Sequence, residues 1–331
     1  MPISATYQPN APAAKTGQGS AISNREDLSN ELAILAPEET PILSLCSKGK
    51  ASATYTEWTV DSLASPVTTG ISEGSDVTSF SDKFADRARL GNYIQLMRRD
   101  YLVSNLQQAV TSIGPANIAQ AEAKSMREIK RDIEATIASS NEMTVENGAG
   151  TPYGMRGFGK WVDSSAQATN PVPAAYRTPS GSILATTVTE STFNGMIGSI
   201  FSKNGEMNSL TLVANTALRQ IISGFTRNSG VSTGVTYHVN QEATSKAITL
   251  SVNLYDSDFG MVKIVNGNPS CMPTASTNVG YVINPKYLGF NTLIPMGATR
   301  LENQGGGERG FIDVAGTLVC KHPQAHGKIA Y

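Results

Sequence analysis

What this 331-residue chain has little of narrows its class first. It has only three cysteines, Cys46, Cys271 and Cys320, odd in number and far apart. That argues against a disulfide framework and fits free buried thiols in a reducing compartment. Neither sign of charge is in excess. With 26 Lys and Arg against 27 Asp and Glu, the net charge is −1, so the chain lacks the basic stripe of a dedicated nucleic-acid binder. A near-neutral surface that touches DNA without sequence preference stays compatible with that balance. No apolar run is long enough to span a membrane. The first residues, MPISATYQPNAPAAKTGQGSA, have no apolar segment of a signal peptide and no acid, the first being Glu26. They read as an arm without a core of its own.

Catalytic signatures are equally sparse. Three histidines occur, none beside a nucleophile motif. Asp258-Phe259-Gly260 is the tripeptide that holds magnesium in kinases, but it lacks the accompanying loops and reads as a turn between strands. Cys320, His322 and His326 offer three potential metal ligands within seven residues. Pro323 and Gly327 deny them a helix, and no fourth ligand is near, so no metal site is assigned. The glycines of Gly154-Met155-Arg156-Gly157-Phe158-Gly159 are in the wrong order for a dinucleotide loop. Gly305-Gly306-Gly307 lacks the Lys-Ser/Thr of a phosphate loop. No cofactor is implied. Carboxylates are plentiful enough for an acid/base pair assembled by the fold, and an enzyme of that kind stays open as an alternative.

What is present is 40% hydrophobic and 16% charged, enough for two lobes or one elaborated domain. Ser23 or Asn24 can cap a short helix with Leu28, Leu32 and Leu35 on one face, which Pro37 and Pro41 should stop. Leu43 and Leu45 offer an anchor before a strand from Ala53 to Val60. A second extended stretch runs from Ala88 to Val103. Between them, Asp61 to Asp86 carries five acids against Lys83 alone, and the whole reads as a long projecting hairpin. After Gly114-Pro115 comes the strongest helix signal, about 25 residues or roughly 37 Å. Ile118, Met126, Ile129, Ile133 and Ile137 form its narrow stripe, and Lys124–Glu128 and Lys130–Glu134 are charge pairs spaced by four. A narrow stripe on so charged a helix predicts that it lies on a sheet.

Residues 147–182 are loop-rich. A helix then follows from Thr189 to Lys203, capped by Thr189 or Ser191 and closed by Asn204-Gly205. Leu210–Val213 reads as a buried strand and Thr216–Thr226 as another helix. Ile248, Leu250, Val252 and Leu254 alternate before Met261–Val265, and Asn278–Ile283 adds a strand. The triple glycine joins two final strand-like halves, with Ile312, Val314, Leu318 and Cys320 on one face. No internal repeat is visible.

Five stretches carry a resemblance, in order along the chain: NREDLSNELAILAPEETPILSLCSKGKASATYTEWTVDSL, KSMREIKRDIEATI, MRGFGKWV, LYDSDFGMVKIV and ERGFIDVAGTLVCKHPQAHGKI. Together the chain resembles the SU-10-type phage major head proteins, a branch of the HK-97-like capsid fold. GGGERG departs from the more charged hairpin tip of many relatives.

The resemblance implies an α+β fold with an N-terminal arm (1–50) and an extended E-loop hairpin (51–113). A P-domain with a long spine helix (114–182) follows, then an A-domain with a central sheet flanked by helices (183–295). The chain returns through a P-domain hairpin and C-terminal strand (296–331). It further implies a structural protein that self-assembles in hexamers and pentamers into the icosahedral head of a tailed double-stranded DNA phage. Expected partners are a portal protein, a separate scaffolding protein because no charged prosegment follows Met1, a decoration protein, and packaged DNA by non-specific contact. The expected location is the virion, after synthesis in the bacterial cytoplasm. A tail-tube or sheath subunit is the structural alternative.

Aromatic and arginine anchors dominate most interfaces, so the expected intersubunit contacts are Tyr55, Trp58, Tyr93, Arg98, Arg99 and Tyr101. Arg127 and Arg131 join them as basic helix residues facing the acidic hairpin tip of a neighbour. Such pairs would steer register and be screened by salt. Assembly followed by light scattering should therefore slow as ionic strength rises; a rate indifferent to salt would remove this expectation.

Overall fold

The computed structural model describes residues 36–110, 117–163, 165–177, 182–183, 187–204, 209–225 and 253–331. The capped helix expected around Leu28, Leu32 and Leu35, the Gly114-Pro115 break, and the alternation at Ile248, Leu250 and Val252 lie outside the described residues.

In chain order the first elements are α1 (Pro41–Leu45), β1 (Ser47–Lys50), β2 (Tyr55–Val60), β3 (Ala88–Tyr93) and β4 (Gln95–Val103). Next come α2 (Asn105–Ala109), α3 (Ile118–Ala138), α4 (Phe158–Trp161), β5 (Ser182–Ile183), α5 (Glu190–Asn204), β6 (Leu210–Ala214) and α6 (Thr216–Phe225). The chain ends with β7 (Leu254–Ser257), β8 (Gly260–Asn266), β9 (Val279–Ile283), β10 (Leu288–Leu301), β11 (Glu308–Cys320) and β12 (Gly327–Ala330). The described strands form a four-stranded sheet in the order β1-β10-β11-β4, a six-stranded sheet in the order β5-β12-β9-β6-β8-β7, and the two-stranded pair β2-β3.

The isoleucine stripe builds the larger core. Asn117 opens α3, its Oδ1 accepting the Gln120 amide at 3.0 Å. The helix runs for 21 residues, a rod of roughly 31 Å. Ile129, Ile133 and Ile137 are at most 2% exposed, and Met126 and Ile118 are partly buried beside them. They pack on the four-stranded sheet, in one cluster with Met97, Tyr101, Ile312, Val314, Leu318 and Cys320. The helix therefore lies on a sheet, as its narrow stripe predicts. Full burial of an aliphatic side chain of this size contributes about 1.5–3 kcal/mol.

One local expectation is corrected here, at Glu134. Pro41 opens a short helix of its own, in the first turn of α1, where its missing N–H has no intrahelical partner to lose. Glu134 does not serve a surface pair with Lys130. It is 1% exposed, and its two carboxylate oxygens accept the Ile42 and Leu43 amides, each at 2.8 Å. Burial raises its pKa while those two amides pull it down. Short α1 is thus fastened to α3 from outside, and Ile42 is fully buried.

The six-stranded sheet separates two cores. β6 and β9 are buried along their whole length, as their near-continuous apolar runs require. Val213, Tyr281 and Ile283 face the larger core; Leu212 and Val282 face a second one built with α5 and α6. α5 is capped as expected at Thr189, whose Oγ1 accepts the Thr192 amide at 3.2 Å while Thr192 Oγ1 accepts the Thr189 amide at 2.9 Å. Asp258-Phe259-Gly260 is the turn between β7 and β8, with Ser257 opposite Gly260.

β10 and β11 pair antiparallel over most of their length, with two register shifts around Ile294; Pro295, which has no amide for the ladder, sits in that irregularity. Their tip is the triple glycine. Gly307 has φ +130°, and a Cβ there would lie 2.3 Å from the Val103 carbonyl oxygen. β12 then leaves this hairpin and joins the six-stranded sheet, antiparallel to β9 and parallel to β5.

The three cysteines are free and buried, and burial pushes the Cys46 thiol up to about 12. No group of three His, Cys, Asp or Glu placed to hold a metal occurs among the described residues. His326 instead accepts the Asn284 amide at Nδ1 (3.1 Å), and its ring meets Phe158 edge-on at 5.2 Å. Burial, with His322 nearby, lowers its pKa from 6.5 to about 3. The unfolded chain therefore binds a proton that the folded one refuses, and stability present above pH 6.5 is lost as pH falls toward 3. The thermal midpoint should fall across this window, and less steeply in His326→Gln; equal slopes would exclude the histidine as the cause.

Candidate functional site: a projecting hairpin

β2 and β3 form a ladder of six residue pairs, from Tyr55 opposite Tyr93 to Val60 opposite Ala88. Strand alternation divides its side chains. Trp58, Val60, Ala88 and Leu90 pack into the larger core, Leu90 at 2% exposure. Trp58 meets Trp161 with ring centroids 5.5 Å apart. The opposite face carries Tyr55, Glu57, Arg89 and Tyr93. Tyr55 lies over Gly91, where a Cβ would come within 2.5 Å of its ring. Tyr55 and Tyr93 meet at 4.5 Å, and Tyr93 stacks on Tyr153 at 5.7 Å.

The body end of the hairpin is sewn by buried polar groups. Asn92 has no exposed surface; its Nδ2 donates to the Leu318 carbonyl at 2.9 Å and its Oδ1 accepts the Arg156 amide at 2.8 Å. Arg156 is also fully buried, its Nε donating to Glu142 at 2.6 Å and its guanidinium 4.7 Å from the Trp161 ring. A buried cation is tolerable here because carboxylate, ring and the Thr169 and Asn170 carbonyls surround it.

The long hairpin foreseen in the sequence differs in one respect. Ala88–Val103 is not a single strand of it: the chain breaks pairing at Ile94, whose amide donates to the Thr54 carbonyl at 2.9 Å, and β4 joins the four-stranded sheet beside β11. Beyond Val60 no ladder forms. Residues 61–87 are exposed throughout, turning near Gly74 at φ +77°. Leu63, Val67, Ile71, Val77, Phe80 and Phe84 all stand there at 64–98% exposure.

The eight residues expected at intersubunit contacts fall in three places. Tyr55, Trp58 and Tyr93 lie at the hairpin ladder and have the partners given above. Arg98, Arg99 and Tyr101 are on β4. Arg98 sits on its outer face, 4.4 Å from the Phe311 ring and 3.6 Å from Asp313. Arg99 and Tyr101 sit on the face toward α3. Arg99 makes a bidentate pair with Asp132 at 2.6 and 2.7 Å, which holds it in its charged form, and Tyr101 is 6% exposed. Arg127 and Arg131 are on α3; Arg127 pairs with Glu38 at 3.1 Å and Arg131 is half-buried. The structure thus gives most of them work within their own subunit. Asn92, Arg156 and the apolar set of residues 61–87 are not among the expected contacts. Large apolar residues inside a Ser-, Thr- and Asp-rich stretch were the available signal for that set.

A long helix on a β-sheet, a second sheeted lobe and a projecting hairpin define the HK97-like class of phage capsid subunits. The chain is similar over 98% of its length to 99% of the chain in the capsid of cyanophage P-SCSP1u, with a TM-score of 0.64 at 12% identity. For the Gordonia phage Cozz structure the values are 98% of both chains, 0.59 and 12%. The capsid of the native GTA particle gives 97% of this chain and 98% of that one, 0.58 and 13%. None of the curated proteins matches. Residues 13–331 match the family described as SU10 major capsid protein, and the chain belongs to that family. It is a major capsid protein of a tailed phage, and its family and fold are those of structural proteins of the virion.

Asn92→Ala should leave the Leu318 carbonyl and the Arg156 amide buried without this partner, at about 1–3 kcal/mol each. Urea unfolding of the unassembled subunit should register that loss; an unchanged midpoint would mean that Asn92 does not hold the hairpin down.

Proposed function

We propose that copies of this chain assemble as hexamers and pentamers into a closed icosahedral shell around a double-stranded DNA genome. In this reading residues 61–87 lie across a neighbouring subunit. Residues 1–50 serve as an arm and 51–113 as the E-loop. Residues 114–182 and the hairpin of 296–331 make the P-domain, and 183–295, whose sheet the C-terminal β12 joins, the A-domain near the capsomer axis. A portal protein would occupy one vertex, a separate scaffolding protein would guide assembly in the bacterial cytoplasm, and a decoration protein would bind outside. Packaged DNA would be touched without sequence preference. No turnover chemistry is assigned.

The observation that carries the reading is the exposure of six large apolar side chains on one projecting segment, Phe80 at 90% and Ile71 at 88% among them. Soluble monomers rarely present so many large apolar side chains on one exposed segment, whereas an interface buries them. A heterologous contact of this kind closes into rings and shells. The five acids of residues 61–86 favour a basic landing place, and Lys124, Arg127 and Lys130 are exposed on α3.

Electron microscopy of the purified protein should show closed polyhedral shells; open tubes would favour a tail subunit, and discrete soluble particles would reopen an enzyme. Phe80→Ser with Phe84→Ser should cut shell yield at least about tenfold while leaving the subunit's unfolding midpoint nearly unchanged, since exposed positions contribute little to folding. Normal shells from that variant would refute the landing role of the segment.

A further inference from the structure

The loop after α4 runs beside the hairpin and touches it at both ends of its ladder. At the body end, Asn170 Nδ2 donates to the Tyr55 hydroxyl. At the far end, the Tyr176 hydroxyl donates to the Asp86 carbonyl, just beyond the last pair. A ladder of six pairs spans about 17 Å, so the two grips cover its whole length.

The loop that supplies them is itself firmly built. Gln167 Nε2 donates to the Lys160 carbonyl at 3.2 Å and its Oε1 accepts the Val172 amide at 2.9 Å. Arg177 Nε donates to the Val172 carbonyl at 2.8 Å. Gln324 Nε2 donates to the carbonyls of Ala175 and Arg177 at 2.9 and 2.6 Å. Buried Arg156 holds the Thr169 and Asn170 carbonyls. Asn170 adopts φ +41°, the only positive φ of a non-glycine among the described residues, and that backbone turn presents its side chain to Tyr55. Val172 and Tyr176 are buried in the larger core. Nothing comparable holds residues 61–85. Their described polar contacts are local, apart from the Arg87–Asp61 pair at 3.1 Å that closes the neck.

We infer that residues 167–177 are a strap that joins the hairpin ladder to the body of its own subunit and places the hinge of the projecting segment at Asp61 and Arg87. With the strap closed, only the segment beyond the ladder can re-aim. Releasing the two grips leaves the ladder held by the core packing of Trp58 and Leu90 and by the Asn92 bonds, but lets its amides open more often. The strap is a conformational device of the subunit and does not depend on how shells close.

The test is hydrogen exchange of the full-length, unassembled chain carrying Tyr55→Phe and Tyr176→Phe, which keep both rings and remove both hydroxyls. Amides of β2 and β3 should exchange roughly tenfold faster, while those of α3 and β11 keep their protection and residues 61–86 stay fast in both proteins. Unchanged β2 and β3 would overturn the strap, and so would acceleration spread evenly over α3 and β11, which marks general destabilisation. Asn170→Gly, whose backbone accepts this φ, provides a second route to the same readout if the double variant does not fold. Because no shell is needed, a subunit that never assembles still decides the question.

Discussion

Burial of the α3 isoleucine face against the four-stranded sheet is the constraint on which the rest of this subunit hangs. Ile129, Ile133 and Ile137 leave almost no surface exposed, and their cluster includes residues of β4, β9, β10 and β11 and of the chain around α4. The other side of the same helix determines where the N-terminal part of the chain is held. Glu134 gathers the first amides of α1, and Arg127 pairs with Glu38. One helix thus fixes both the core of the body and the place where residues before Pro41 approach it. Hydrophobic burial supplies the gain, and the buried carboxylate supplies direction, since it satisfies two named amides and no others.

The hairpin divides the same physics differently along its length. Its ladder is continuous with the body: Leu90, Trp58 and Asn92 are buried or packed there, and β3 runs on into β4. Past Val60 and Ala88 the chain has no ladder and exposes its large apolar side chains. In the proposed shell, the packed root would hold the hairpin while the exposed segment would lie on a neighbour. The Arg87–Asp61 pair marks the division between them, and the polar cluster of Arg156, Glu142, Asn92 and Asn170 ties the opposite end of the ladder to the body.

Much of the body could be read without coordinates. The α3 stripe, the Thr189 cap, the buried run of β6, the Asp258-Phe259-Gly260 turn and the shared face of Ile312, Val314, Leu318 and Cys320 all follow from period and capping chemistry, which are local. Non-local pairings were harder. Glu134 has the spacing of a surface ion pair, and only the approach of α1 from 92 residues away turns it inward. Ala88–Val103 has the composition of one long strand, and its division at Ile94 depends on β11 capturing β4. Tyr55, Tyr93, Arg98, Arg99 and Arg127 also have partners in their own subunit, because aromatic and guanidinium groups serve cores as readily as interfaces.

The sequence by itself determined the elements, the apolar faces they bury and the family, because periodicity and word order are carried by neighbouring residues. Only the tertiary structure decided which side of α3 holds α1, where the hairpin stops being body and becomes a free segment, and that residues 167–177 grip it. Those outcomes rest on contacts between residues far apart in the chain, such as Asn92 with Leu318 and Tyr176 with Asp86. Such contacts have no local pattern, since each partner's geometry exists only after the larger core has closed.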